Sequence, residues 1–332
     1  MIDDALPWWT RVEASSWAEV QVEASGSTSA TWLFEPESER SWLHKHTVIP
    51  GTGIEQGEDW AEAIATQVAL QLGVPCAMVR LASRSGRDGS LSLNLRPRGY
   101  SFWLGNQWLV DRAPGYVPQS EGAKEVDPDR PGVRRPGHTL ENFRRALEET
   151  SAPQSFAGPT QTGFDVLVGF FILDALIANR DRHTENWAVL EPEVGLGQPM
   201  LAPSYDHGGS LGYNVRDEDR LRQLDGRGVR AWVSSSRASA HRFEYETGVP
   251  KASLVEVALA SLDLCSPEAR AWWVDRSRCL DLAELVDQGR SGAVHPMSDP
   301  ARRFATAVLE ANVERMRDAI DDDAPPRRTL GG

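Results

Sequence analysis

Residues 164–178 (FDVLVGFFILDALIA) are apolar on nearly every side of a helix, with Asp165 and Asp174 the exceptions at its two ends. A helix without a polar face must lie in the interior, with other elements laid around it. It is too short to span a bilayer, and it carries two carboxylates besides. A chain of 332 residues can surround such a helix with a sizeable core, and that length suggests two domains or lobes.

The first third of the chain predicts a different architecture. Residues 17–23 (WAEVQVE) alternate apolar and polar, as a half-buried strand does. The small, turn-forming run SGSTSA at 25–30 separates them from a second strand candidate at 31–34. A third, 41–49, has Lys45 in its middle. A helix follows: Glu58 and Asp59 sit at its first turn, Trp60, Ile64, Val68 and Leu72 recur every four residues, and Gly73 and Pro75 stop it. Strands at 74–82 and 90–95 flank the turn SGRDGS, and SFWLGNQWLV closes this part. Residues 112–137, rich in proline and glycine, read as a linker between a first lobe at 1–111 and a second at 138–332. Beyond it the expected elements are mainly helices, at 139–150, 164–178, 252–264, 267–288 and 299–320, with a hairpin of 187–190 and 200–201. The fold class expected is α+β: a β-rich N-terminal lobe and a mostly helical C-terminal lobe.

Composition narrows the function. The net charge of −13 argues against gripping a phosphate backbone, so no direct nucleic-acid partner is expected. No membrane partner is expected either. The start MIDDALPWWTR lacks the basic and apolar regions of a secretory signal. Cys76, Cys265 and Cys279 are odd in number and far apart, which suits reduced thiols in a cytoplasm rather than a disulfide framework or a zinc site. Most of the twelve tryptophans have apolar neighbours and read as packing.

The chemistry gathers in ANRDRHTENWAVL, residues 178–190, directly after the interior helix. Asp181 and Asn186 stand five apart on the loop that must follow it. This spacing lets a carboxylate meet a substrate hydroxyl while an amide oxygen turns back to a metal ion, the division of labour in phosphoryl-transfer loops. Twenty residues on, LAPSYDHGGSLG places Asp206 at a strand end before a Gly-Gly bend. One carboxylate and one amide oxygen suit a hard dication that also binds phosphates.

At these residues the sequence resembles the HipA-like kinases, whose catalytic loop reads N-x-D-x-H-x-x-N and whose metal segment reads a-P-x-Y/F-D. Asn179, Asp181, His183 and Asn186 match the first pattern, and Ala202, Pro203, Tyr205 and Asp206 the second. The loop is also similar, more distantly, to the D-R-H-x-x-N loop of phosphoinositide kinases. The resemblance extends faintly over residues 17–230. It implies a two-lobed protein-kinase-like fold and transfer of the γ-phosphoryl group of ATP, with Mg2+, to a Ser/Thr hydroxyl of a protein, the kinase itself included. It makes Asp181 the base, Asn186 and Asp206 the metal ligands, Lys45 the contact to the ATP phosphates and Glu62 the carboxylate that orients Lys45. Gly26, Ser27, Thr28 and Ser29 become the loop over the phosphates, although Gly26 is the only glycine there. His183 is either a structural histidine or a group touching the γ-phosphate. Several relatives are toxins, so an antitoxin partner is a further implication.

Other readings stand beside this one. Asp181 with Arg182 could be a solvated ion-paired turn, His207 an ordinary loop residue, and Ser27 to Ser29 plain turn residues. Glu55, Glu58 and Asp59 compete with Glu62 for its role. A small-molecule or lipid kinase is the alternative within enzymes, and an inactive nucleotide-binding regulatory module the alternative outside them.

Overall fold

The computed structural model describes residues 6–23, 30–51, 53, 55–118, 127, 129–160, 162–193, 197–226, 228–235, 238–282, 284–288 and 296–322. Gly26, Ser27, Thr28 and Ser29 lie outside the described residues.

The chain opens with β1 (Arg11–Glu13), β2 (Ala18–Glu23), β3 (Ala30–Glu35) and β4 (Arg40–His46), then α1 (Glu58–Leu72), β5 (Val79–Arg84) and β6 (Arg87–Leu93). These strands form one sheet in the order β1-β5-β6-β4-β3-β2. Only the β1–β5 pair is parallel. Lys45 sits in the centre, opposite Ala30 on one side and Ser90 on the other. Its neighbour His44 and Trp42 are buried on the other face, so alternation turns Lys45 away from that apolar packing. α1 lies against β5 and β6. Gly73 ends it in the left-handed region, at φ 85°, and its N–H returns to the Ala69 and Leu70 carbonyls.

Next come β7 (Tyr100–Leu104), α2 (Gly105–Leu109), β8 (Val133–Arg134), α3 (Leu140–Ala146) and α4 (Gly163–Ile177). β9 (Ala188–Pro192) and β10 (Met200–Leu201) make the expected hairpin, and β7 pairs with the outer side of β9. The remaining elements are α5 (Asp217–Leu224), α6 (Gly228–Ser234), β11 (Tyr245–Glu246), α7 (Leu254–Leu264), α8 (Pro267–Cys279) and α9 (Asp299–Asp321). β11 pairs with β8.

Every residue of α4 is buried, as an all-round apolar helix requires. It packs on α1, α7 and α9, so one helix joins the sheet-bearing part to the helical part. Its two carboxylates are both satisfied. Asp165 accepts hydrogen bonds from Thr160 Oγ1 and Ser266 Oγ at 2.6 and 2.7 Å, and Asp174 from Asn179 and Arg182. The mixed α+β architecture, β-rich first and helical afterwards, agrees with the expectation.

Two helices are shorter than their patterns predict: α3 ends at Ala146 instead of 150, where Leu147 leaves helical backbone (φ −103°, ψ 6°). α8 stops at Cys279 instead of 288, because Leu280 adopts extended backbone (φ −64°, ψ 130°). Leu280 and Leu282 then bury themselves at a spacing of two. α5 and α6 occupy a stretch that had no expected helix.

Candidate active site

α4 ends at Ala178, a non-glycine residue at φ 54°, and this turn aims the following loop away from the helix axis. The loop is braced from below. Arg182, buried, donates to both oxygens of buried Asp174 at 2.9 and 2.8 Å and to the Asn186 carbonyl at 2.7 Å. Arg182 is thus no surface partner of Asp181: it pins the loop to the interior helix. Burial disfavours its charge, but the Asp174 carboxylate outweighs that and leaves its pKa raised. Asn179 Nδ2 donates to Asp174 at 2.7 Å, and its Oδ1 accepts from the Asp181 N–H at 3.0 Å.

On that base Asp181 presents a half-exposed carboxylate. Asn186 is buried, and its Nδ2 donates to the Asp181 carbonyl at 2.8 Å, which turns the amide oxygen the other way. His183 Nδ1 accepts from the Glu185 N–H at 3.1 Å, so its proton sits on Nε2, 3.9 Å from Asp181 Oδ2. Burial lowers the His183 pKa, Asp181 acting against it and Arg242 with it, so the ring is neutral.

The second segment arrives beside the first. Tyr205 donates to the Glu185 carbonyl at 2.8 Å, and a Cβ on Gly209 would lie only 3.7 Å from that of Asp181. Asp206 takes φ 60°, a left-handed conformation that aspartate tolerates better than most residues. Its Oδ1 accepts from Lys45 Nζ at 2.9 Å. Burial pushes the Asp206 pKa up, but the Lys45 ammonium prevails and holds it below the usual carboxylate range. The structure therefore joins strand β4 to the 202–209 segment through one ion pair.

Glu62, on α1, is buried and bonded to His207, with Oε1 3.2 Å from Nδ1. His207 Nε2 lies 2.7 Å from Ser204 Oγ. His207 is a loop residue, as expected, but a fully buried one. Burial opposes its charge; the Cys76 sulfur and the Glu62 carboxylate outweigh that and push its pKa up to about 10. Lys45–Asp206 and Glu62–His207 are thus adjacent bonded pairs, each linking the sheet-bearing part to the same short segment.

Two residues have more to do here than the sequence suggests. His207 had no local signal beyond its place after Asp206. Arg242 stands 61 residues from Asp181, yet its Nε donates to Oδ1 at 2.9 Å and its Nη2 reaches the same oxygen. No spacing rule could have found it.

Among the described residues no group of three or more His, Cys, Asp and Glu side chains could cage a metal. The oxygens of Asn186 and Asp206 form a sparser, hard-donor set, which fits Mg2+ because that ion keeps waters and phosphate oxygens as its other ligands. None of the three cysteines is in a disulfide. No described helix is long and apolar enough to cross a membrane.

No family model and no curated protein matches the sequence. Among solved structures, the proinflammatory kinase CtkA of Helicobacter pylori superposes with a TM-score of 0.66 at 12% identity, over 94% of this chain and 98% of that one. This establishes a protein-kinase-like fold. Weaker superpositions are found on HipA of a Shewanella oneidensis MR-1 toxin–antitoxin system (TM-score 0.47, 11% identity, 89% of this chain and 67% of that one) and on the PknI kinase domain of Mycobacterium tuberculosis (0.34, 12%, 92% and 100%). The fold assignment rests on the first.

Proposed function

We propose that the chain is an ATP-dependent kinase that phosphorylates Ser/Thr hydroxyls of proteins, with Asp181 as its catalytic base. The observation that carries this reading is the convergence of two motifs on one site: Asp181 and Asn186 on a braced loop, and Asp206 beside them holding Lys45 at 2.9 Å. The fold is consistent with it, and the acceptor class follows the motif resemblance. A cytoplasmic setting remains an implication of the cysteine pattern, and an antitoxin partner and self-phosphorylation remain implications of that resemblance alone. The division into 1–111, 112–137 and 138–332 belongs to the same proposal, with β7 the strand that crosses onto β9.

Bound Mg2+ would neutralise the phosphates and draw charge from the transition state. Asn186 and Asp206 would hold it, the one offering an amide oxygen and the other a carboxylate oxygen. Lys45, released from Asp206, meets the phosphates. Glu62 keeps the role of orienting Lys45 that the resemblance implies, and through its bond to His207 it also fixes the backbone that carries Asp206. Asp181 orients the acceptor hydroxyl and takes its proton as the new O–P bond forms. The bond between the γ-phosphorus and the bridging oxygen breaks, and ADP leaves with that electron pair. Such catalysis is mostly positioning and electrostatics. The loop is built for it: Asp174, Arg182 and Asn179 hold it rigidly from beneath.

The test is Asp181→Asn, which keeps volume and most hydrogen bonding but cannot accept a proton. General-base contributions are typically ~10²–10⁴-fold. Transfer from labelled ATP to proteins of a cell lysate should fall by that order while nucleotide affinity survives. Retained transfer would move the base elsewhere, with His183 next. Loss of nucleotide binding as well would mean that Asp181 holds the metal or the fold.

A further inference from the structure

One of the two Asp181 carboxylate oxygens is already engaged. Arg242 reaches Oδ1 with two of its nitrogens, one at 2.9 Å, while Oδ2 lies 3.9 Å from His183 Nε2, so the guanidinium stands directly beside the oxygen left to an acceptor hydroxyl. A guanidinium leaves a carboxylate most readily for another anion. The surroundings of Arg242 are unusual for this acidic chain. It lines a small recess with Tyr116, Arg135, His138, His183 and Thr184, and a neighbouring, largely apolar hollow where Arg180 stands near the Arg182–Asp174 pair. Arg135 donates from Nε to the His241 carbonyl at 2.9 Å, which fixes it beside Arg242. His241 registers the combined field: burial first, then Arg242, Arg180 and Arg135, push its pKa down to about 4. Three arginines therefore converge on the wall next to Asp181, on a chain whose net charge is −13.

We propose that this wall recognises the acceptor, and that it selects a Ser/Thr segment bearing an anionic side chain, carboxylate or phosphate, close to the reacting hydroxyl. Arg242 exchanges Asp181 for that anion, so Oδ1 of the base is freed when a suitable segment is docked. Arg242 is thereby a specificity-determining residue. This inference rests on the kinase reading.

The experiment uses the full chain and fluorescein-labelled heptapeptides centred on serine, flanked by glutamate, phosphoserine, alanine or lysine. Anisotropy should show the glutamate or phosphoserine peptides binding at least tenfold more tightly than the alanine peptide, with the lysine peptide weakest. The ratio of the first two distinguishes a carboxylate site from a phosphate site. Arg242→Glu should abolish the anionic preference and favour lysine, while Arg242→Lys keeps part of it. Equal affinity of the glutamate, phosphoserine and alanine peptides, an unchanged order in Arg242→Glu, or no binding to any peptide would overturn the proposal. Phosphotransfer to the same peptides separates the two readings. Transfer without anionic preference sinks only the recognition proposal. Selective binding with no transfer, to peptide or to the chain itself, sinks the kinase reading instead.

Discussion

Lys45 and Asp206 hold each other at 2.9 Å, and under the proposed function each would take another partner, the phosphates and the metal. Both side chains are about one-third exposed, so their mutual attraction is screened and worth little, about 0–1 kcal/mol. Asp206→Asn should therefore barely change the stability of the unliganded chain. Its effect should appear on ligand binding. A ligand at a hundredfold excess over Kd stabilises the native state by about 2.7 kcal/mol. With Mg2+ and ATP together the wild type should show a clear rise in melting temperature, and Asp206→Asn at the same concentrations should lose most of it. An undiminished rise would mean that the metal is held by other groups. At this scale much of the site was legible in the sequence. Asp181, Asn186 and Asp206 lie within two short motifs whose spacing reflects local loop geometry, and Lys45 is marked by its place in a strand. Arg242 and the bracing role of Arg182 were not legible, because both depend on which distant groups the fold brings alongside.

Among the elements, α4 does most to position the site, and Trp273 of α8 packs tightly against it at Gly169. A Cβ on Gly169 would lie 2.4 Å from Trp273 Cη2 and 2.5 Å from Cζ2. The indole cannot slide away cheaply. It is fully buried, and its Nε1 donates to the Asp165 carbonyl at 2.7 Å. Alanine is the better helix former by about 1 kcal/mol, but overpacking a tight core costs typically ~1–3 kcal/mol. Steric conflict at this distance should win, so Gly169→Ala should lower the urea midpoint despite its propensity. A double-mutant cycle with Trp273→Phe should recover part of the loss. A midpoint that rises in Gly169→Ala would show that the helices can separate freely. The strands and the apolar helices were readable because their burial imposes periods of two and of about four. α5 was not, since its sequence DEDRLRQL is almost wholly polar and Arg220 is its only buried residue. The end of α8 was overrun because Leu280, Leu282, Leu285 and Val286 continue the apolar supply after the backbone has become extended.

For the molecule as a whole, buried histidines should set the pH range of stability. His138 is buried, and burial, followed by the nearby Arg135 charge, pushes its pKa down to about 3. His44, buried beside His46, is pushed down to about 4, as is His241. A base with a lowered folded pKa binds fewer protons native than unfolded. Its stabilising share is thus present above the unfolded value of about 6.5 and lost as pH falls from there toward the folded value. His207 has the opposite sign. Its pKa is raised to about 10, so its share is present below about 6.5 and lost as pH rises toward 10. Asp59, raised to about 6 by burial despite Arg11, offsets part of the acid loss, because the folded chain takes up its proton first. The expected profile is a dome with its top near neutral pH and an acid limb of about 1.4 kcal/mol per pH unit for each titrating histidine. His138→Phe isolates one contribution, since the ring already packs edge-on against Phe143 at 4.7 Å and lies 5.3 Å from Phe243. Urea midpoints measured from pH 4 to 9 should show a shallower acid limb in this variant and an unchanged alkaline limb. An acid limb of undiminished slope would assign the loss to other groups, and a changed alkaline limb would mean that the substitution disturbs the packing around His207.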